Sequence, residues 1–120
     1  MKRVLVVEDT EDNRRIIRDL LTSAGYETIE AVTGEEGVAM AAEHRPDLIL
    51  MDVQLPVLDG YEATRRIKAN PALRHIPVIA VTSYALSGDE EKTRAAGCDA
   101  YVAKPFSPRL LLAKVRGFLE

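Results

Sequence analysis

Asp47-Leu48-Ile49-Leu50-Met51-Asp52 carries the clearest fold signal in the chain, because four apolar residues run without interruption between two carboxylates. The run then breaks at Val53-Gln54-Leu55-Pro56. A short apolar run bounded by turn residues is typical of a strand buried on both faces of a parallel sheet. Asp52 would then lie at the carboxyl end of that strand, where open α/β sheets bind ligands. A carboxylate in this position can also simply cap a turn, so other segments must decide.

A second apolar run, Val4-Leu5-Val6-Val7, also ends in acids, namely Glu8 and Asp9. If the two strands are parallel neighbours, Glu8, Asp9 and Asp52 meet at one edge of the sheet. Three carboxylates that close repel one another and take up protons unless a cation shares the site. The two runs together therefore predict a metal site.

Length and composition indicate one globular domain spanning residues 1–120, without repeats or a linker. The 16 basic residues are outnumbered by 19 acidic ones, which argues against direct binding to nucleic acid or to an acidic membrane. No apolar run approaches the roughly 18 residues of a membrane span, and the acids after Val7 come too early for a signal peptide. A single cysteine, Cys98, excludes an internal disulfide and fits a reducing compartment. We therefore expect a cytoplasmic protein.

Predicted strands and helices alternate along the whole chain. The strands cover about residues 3–8, 26–31, 48–52, 76–82 and 100–103. The helices begin near residue 12 and at caps supplied by Thr33, Asp59, Ser87 and Ser107. On the first helix, Ile16, Ile17, Leu20 and Leu21 form the apolar face, and Arg14, Arg15 and Arg18 the solvated face. Strict alternation predicts a flavodoxin-like α/β fold, a doubly wound five-stranded parallel sheet in the order 2-1-3-4-5 with five helices.

Polar residues collect at the carboxyl ends of these strands. Glu8 and Asp9 follow the first strand, Asp52 the third, Thr82 the fourth and Lys104 the fifth. A hard cation such as Mg²⁺ prefers oxygen ligands and needs only a few carboxylates beside its waters. Asp9 and Asp52 are the predicted direct ligands, and Glu8 is predicted to hold a coordinated water.

The same residues suit phosphoryl transfer, which needs an in-line nucleophile and cations around the transferred oxygens. Asp52 is the predicted nucleophile and phosphoacceptor, Lys104 a stabilising cation, and Thr82 a hydroxyl donor to one phosphoryl oxygen. Taken singly, Lys104 can be a solvated loop lysine and Thr82 a strand-end cap. Their convergence with three acids favours the catalytic interpretation.

In this order and spacing, Glu8-Asp9, Asp52, Thr82-Ser83 and Lys104-Pro105 resemble the receiver domain of bacterial two-component response regulators over all 120 residues. Asp59-Gly60, Gly97 and Tyr101 support the match. In local sequence the chain is most similar to stand-alone receivers of the division-control type, and it also resembles receivers attached to hybrid kinases.

The resemblance implies that Asp52 takes its phosphoryl group from a sensor histidine kinase or a histidine phosphotransfer protein. It also implies that the backbone carbonyl of Gln54 completes the metal's protein ligands and that the Lys104-Pro105 peptide is cis. We predict that Thr82 then moves toward the phosphoryl group and Tyr101 rotates inward. The fourth helix, fifth strand and fifth helix would form the surface that binds a downstream protein. Without switching, Tyr101 would be a half-buried aromatic of an edge strand.

Two alternatives stay open. A Mg²⁺-dependent phosphohydrolase of the haloacid-dehalogenase kind also forms an aspartyl phosphate, but it would want Asp-x-Asp after the first strand, where this chain has Glu8-Asp9-Thr10. Alternatively, the receiver is one module of a larger regulator or hybrid kinase. The expected role is a signalling switch that catalyses only its own phosphorylation and dephosphorylation.

Overall fold

The computed structural model describes residues 1–82 and 89–120, and strands and helices alternate in this part of the chain. The strands are β1 (Arg3–Val7), β2 (Glu27–Ala31), β3 (Leu48–Asp52), β4 (Val78–Thr82) and β5 (Ala100–Ala103). The helices are α1 (Glu11–Ser23), α2 (Gly34–His44), α3 (Gly60–Ala69), α4 (Asp89–Ala96) and α5 (Pro108–Leu119). The predicted alternation is confirmed. The expected cap at Ser87 and the Ser83 of the Thr82-Ser83 pair lie outside the described residues.

The strands form one sheet in the order β2-β1-β3-β4-β5, and every neighbouring pair is parallel. This is the predicted flavodoxin-like topology. All residues of β3 and β4 are buried, as their uninterrupted apolar runs indicated. β2 at the sheet edge is only partly buried, in keeping with its mixed pattern.

Among the described residues, apolar side chains pack in two cores, one on each face of the sheet. Leu5, Ile49 and Met51 belong to the core that includes residues of α2 and α3. Val6 and Leu50 belong to the core that includes residues of α1 and α5. Successive strand residues point to opposite faces, so each inner strand contributes to both cores. Because helices cover both faces, functional side chains collect at the edge of the sheet.

Three strands are shorter than the sequence pattern predicted, and the second begins at Glu27 instead of Tyr26. The first was expected to reach Glu8 but ends at Val7, although the Glu8 N–H still donates to the Ala31 carbonyl at 3.1 Å. The fourth was expected to begin at Ile76 but begins at Val78, because Pro77 has no N–H to donate to a ladder. Glu8 and Asp9 therefore lie in the loop between β1 and α1.

Three predicted helix caps are present among the described residues. The side chains of Thr33, Asp59 and Ser107 accept hydrogen bonds from backbone N–H groups in the first turns of α2, α3 and α5. On α1 the predicted faces need one correction, since Ile16 is 51% exposed whereas Ile17 and Leu21 are buried. Within the described residues, no helix is both long and apolar enough to span a bilayer.

Candidate functional site

Three carboxylates meet at the carboxyl edge of the sheet. Val7 lies opposite Met51 in the β1–β3 ladder, so the residues after Val7 come beside Asp52 at the end of β3. Glu8, Asp9 and Asp52 each have a carboxylate oxygen within 4.8 Å of the others. Glu8 and Asp52 are almost wholly buried, whereas Asp9 is exposed. The cluster thus has a buried base and one side open to solvent.

Lys104 supplies a cation to this cluster from the loop after β5. Its Nζ lies 2.9 Å from Glu8 Oε1 and 3.2 Å from Asp52 Oδ2. The backbone fixes its position, because the Lys104 N–H donates to the Thr82 carbonyl at 2.7 Å. The Lys104–Pro105 peptide bond is cis. One ammonium therefore bridges two of the three acids.

Both oxygens of Asp52 accept hydrogen bonds from defined donors. Oδ1 accepts from the Gln54 N–H at 2.9 Å, and Oδ2 accepts from Lys104 Nζ. The first residue of α3 lies close to the backbone of Asp52, since a Cβ placed on Gly60 would lie 2.2 Å from the Asp52 carbonyl oxygen. In the loop between β3 and α3, Val57 has φ 66°. The Asp52 carboxylate is therefore oriented by neighbours on either side.

Thr82 and Tyr101 occupy neighbouring strands on the β5 side of the cluster. Thr82 ends β4 and is fully buried; the preceding residue, Val81, lies opposite Asp52 in the β3–β4 ladder. Tyr101 is half-buried on β5 and pairs with Ala80, two positions below Thr82. Val81 pairs with Asp52 on one side and with Val102 on the other, so Tyr101 lies one residue before the level of Asp52 in the sheet.

The electrostatics of the cluster show an excess of negative charge. Burial raises the pKa of Glu8 from 4.5 to about 7, the hydrogen bond and charge of Asp52 add to the rise, and Lys104 opposes it. Burial alone would lower the pKa of Lys104, but its contacts with Glu8 and Asp52 outweigh that effect and raise it. Burial and Asp52 therefore outweigh Lys104 at Glu8, and its pKa of about 7 places its protonation equilibrium near neutral pH.

These residues fit a divalent cation. The donor atoms are carboxylate oxygens, which hard cations prefer, and three of them from different residues converge beside a single lysine. Glu8, Asp9 and Asp52 could hold such an ion, and their spread of 4.8 Å or less allows all three to share one centre. The chemistry that fits is charge stabilisation around an anionic phosphoryl group.

The sequence pattern missed Arg14, which was expected on the solvated face of α1. Its Nη1 donates to the Glu8 carbonyl oxygen at 2.9 Å, and its Nε lies 3.4 Å from Glu30 Oε1, with only 16% of the side chain exposed. Its position in the sequence could have indicated this contact, because α1 begins two residues after Asp9 and its first turns lie beside the loop that carries Glu8 and Asp9. Helical periodicity alone does not report contacts with a loop.

Comparison with known proteins agrees with this geometry. The family model described as the response regulator receiver domain matches residues 4–116. The polar-differentiation response regulator DivK of Brucella anthropi is 50% identical over 118 residues, which cover 98% of this chain and 96% of that protein.

Solved structures show the same architecture. A chemotaxis protein, CheY4 of Vibrio cholerae, superposes with a TM-score of 0.92 at 30% identity, covering 98% of each chain. The receiver domain of a sensor histidine kinase from Pseudomonas aeruginosa superposes with a TM-score of 0.91 at 42% identity, covering 98% of this chain and 96% of that one. The latter carries a magnesium ion coordinated in its active-site cleft.

Proposed function

This chain belongs to the response regulator receiver domain family, as its motifs predicted, and we propose that it is a signalling switch phosphorylated on Asp52. The phosphoryl group would come from a histidine kinase or a histidine phosphotransfer protein. The observation that carries the proposal is the environment of Asp52, which is 3% exposed and bound through both oxygens beside two further acids. Residues 1–120 are proposed to form a single receiver domain.

Asp52 acts as the nucleophile in this mechanism. One carboxylate oxygen attacks phosphorus, the P–N bond of the donor's phosphohistidine breaks, and its electron pair stays on the imidazole nitrogen. Lys104, already within 3.2 Å of Asp52 Oδ2, offsets charge on the phosphoryl oxygens. The Gln54 N–H holds the other carboxylate oxygen, so the nucleophile is oriented before the donor arrives.

We propose Mg²⁺ as the cofactor, held by Asp9, Asp52 and the backbone carbonyl of Gln54, with Glu8 binding through a water. When bound, the ion neutralises charge on the carboxylates and the incoming phosphoryl oxygens. Support comes from the three acids, whose carboxylate oxygens lie within 4.8 Å of one another, and from the preference of Mg²⁺ for oxygen ligands. The site would catalyse its own phosphorylation and dephosphorylation and act on no other substrate.

The phosphate becomes a signal through Thr82 and Tyr101. A phosphoryl group adds about −2 charge and three acceptor oxygens, and the Thr82 hydroxyl at the end of β4 would donate to one of them. Its movement would leave room for Tyr101 to rotate inward on β5. We propose that α4, β5 and α5 then bind the downstream protein. The phosphoryl group shifts this equilibrium only to the extent that it binds the active arrangement more tightly.

Substitution of the nucleophile tests the proposal. We expect Asp52→Asn to take up no label from a phosphorylated histidine kinase or from radiolabelled phosphoramidate, because an amide oxygen is a poor nucleophile. Asp12→Asn serves as the matched control, since Asp12 lies on the exposed face of α1 and its side chain is 80% exposed. Labelling of Asp52→Asn at the native rate would refute the assignment.

A second variant tests the switch separately from the chemistry. Thr82→Ala should accept phosphate yet bind its target no better when phosphorylated, because the hydroxyl that senses the phosphoryl group is gone. The measurement is target affinity before and after phosphorylation. A phosphorylated Thr82→Ala chain that gains affinity as the native chain does would remove Thr82 from the pathway.

A further inference from the structure

Arg14 connects three segments of the chain at the base of the site. Its backbone N–H donates to the Thr10 carbonyl within the first turn of α1. Its guanidinium donates from Nη1 to the Glu8 carbonyl at 2.9 Å and approaches Glu30 Oε1 from Nε at 3.4 Å. The same side chain therefore joins α1, the loop after β1 and the strand β2.

The contact with the Glu8 carbonyl restrains the backbone between two of the three acids. This carbonyl belongs to the peptide group that joins Glu8 to Asp9, and that group is planar. Glu8 is already held on its other side, where its N–H donates to the Ala31 carbonyl at 3.1 Å. Fixing the carbonyl fixes the plane of the Glu8–Asp9 peptide, and hence the directions in which these two side chains leave the backbone.

Glu30 in turn orients the guanidinium. Its carboxylate lies between two arginines, with Arg14 Nε at 3.4 Å and Arg18 Nη1 at 3.2 Å. Glu30 and Arg14 are 28% and 16% exposed, so this group is shielded more than an ordinary surface pair. A guanidinium is a rigid planar fork and can serve two acceptors in one plane, which an ammonium cannot.

We infer that Arg14, oriented by Glu30, is a positioning residue that holds the Glu8–Asp9 peptide in the orientation that divalent-cation binding requires. Arg14 touches neither the cation nor the phosphoryl group and acts through the backbone of the two acids. The inference rests on the proposed function, because it assumes that these acids bind Mg²⁺. It adds a residue on α1 that sets how tightly they do so.

The direction in which Mg²⁺ affinity changes when Arg14 is removed distinguishes a positioning role from a direct effect of its charge. Arg14 is a cation near an acidic site, so by Coulomb's law alone its removal should make Mg²⁺ bind more tightly. Positioning predicts the opposite, because without the hydrogen bond the peptide can rotate and the carboxylates lose their alignment. Partners behind metal ligands typically contribute a factor of about 10 to 100 in metal affinity.

The test is Mg²⁺ binding measured by calorimetry on the full chain. We expect Arg14→Met to raise the Mg²⁺ Kd by about 10-fold and Arg14→Lys to raise it less, since lysine keeps one donor but cannot serve both acceptors. Arg15→Met is the matched control. It removes the same charge from the next residue, whose guanidinium lies 3.5 Å from the exposed Asp12 carboxylate, and should leave the Kd unchanged or slightly lower.

Kinetics with phosphoramidate as donor give a second readout. For Arg14→Met, the Mg²⁺ concentration at half-maximal rate should rise by the same factor as the Kd, while the rate at saturating Mg²⁺ should stay within about twofold of native. A loss of maximal rate without a change in the Mg²⁺ requirement would overturn the inference. Thermal unfolding confirms that each variant is folded. If Arg14→Met does not fold, the Mg²⁺ Kd of Arg14→Lys is compared with that of Arg15→Lys instead.

A double-mutant cycle tests the part assigned to Glu30. If Glu30 acts through Arg14, Glu30→Gln should weaken Mg²⁺ binding in the native background and have no effect when Arg14 is already Met. Additive effects would mean that Glu30 acts only through its charge.

Failure of the inference also differs from failure of the proposed function. In the first case Arg14→Met binds Mg²⁺ as native does while Asp52→Asn is unlabelled; in the second the native chain binds no Mg²⁺ or Asp52→Asn still labels.

Discussion

At the scale of single residues, burial works against ionisation of Glu8. Its pKa is raised from 4.5 to about 7, chiefly by burial and then by Asp52. Below pH 4.5 the folded and unfolded chains both hold the proton. Between about pH 4.5 and 7 the unfolded chain releases a proton that the folded chain keeps, so stability falls as the pH rises, and above about pH 7 the loss is complete. The metal-free site is therefore a source of instability at neutral pH.

Glu8→Gln should remove this pH dependence. In EDTA at pH 8 we expect its free energy of unfolding to exceed that of the native chain by about 1–2 kcal/mol, with the difference vanishing near pH 4. Urea denaturation across this pH range provides the measurement. Glu43→Gln is the control, because the Glu43 side chain is 73% exposed. A native chain equally stable at pH 5 and pH 8 would contradict the prediction.

Val57 shows strain at a single residue of the loop between β3 and α3. Its φ is 66°, a left-handed conformation that a β-branched residue rarely adopts, and its side chain is fully exposed. Val57→Gly should therefore stabilise the chain by about 1 kcal/mol, since it removes the steric cost and no packing is lost. Val57→Ala keeps its Cβ and should gain less. In chemical denaturation, a glycine variant less stable than the alanine variant would show that the loop is not strained.

At the scale of elements, close contact between α3 and β3 positions the loop around Asp52. A Cβ on Gly60 would lie 2.2 Å from the Asp52 carbonyl oxygen and 2.7 Å from the Val53 Cα. The first residue of α3 therefore touches backbone at the end of β3. On α5, by contrast, a Cβ on Gly117 would meet no atom within 4 Å. Gly60 and Gly117 therefore have different roles.

The same substitution should have opposite effects at these positions. Gly60→Ala should destabilise the chain by at least about 2 kcal/mol, because backbone has to move, and should slow phosphorylation by displacing Asp52. Gly117→Ala should stabilise it by about 0.5–1 kcal/mol through helix propensity. Thermal unfolding and phosphoramidate labelling measure both effects. Similar stability for the two variants would mean that α3 has room to shift away from β3.

At the scale of the whole molecule, the acidic cluster joins parts of the chain that are distant in sequence. Glu8 directly follows β1, Asp52 ends the neighbouring strand β3, and Lys104 bridges them from beyond β5. A ligand bound at this point contacts the native arrangement and not the unfolded chain, so binding free energy adds to folding stability. Charge in the site and stability of the fold should consequently be linked.

Mg²⁺ should therefore stabilise the whole domain. At a concentration 100 times its Kd, the expected gain is about 2.7 kcal/mol, seen as a higher Tm in Mg²⁺ than in EDTA. Asp9→Asn should remove most of the gain by deleting a proposed ligand, whereas Asp12→Asn should keep it. An unchanged Tm in the native chain at millimolar Mg²⁺ would count against a metal site at this edge.

The sequence by itself determined the order of elements, the topology and the edge at which polar residues collect. Uninterrupted apolar runs such as Leu48–Met51 require burial on both faces, and strict alternation with helices leaves few topologies. Acids and a lysine directly after such runs lie at the carboxyl edge in any of those topologies. These conclusions depend on local pattern and chain order, which a linear sequence records.

Only the tertiary structure decided which neighbours complete the site. Arg14 belongs to the helix face that periodicity assigns to solvent, yet it binds the Glu8 carbonyl, while Ile16 from the apolar pattern is half exposed. Gly60 is restricted by the backbone of β3, and the pKa of Glu8 is set by burial and by Asp52. The physical reason is common to all of them. Contact, burial and charge at short range depend on segments that meet in space, and periodicity within one segment carries no record of what packs against it.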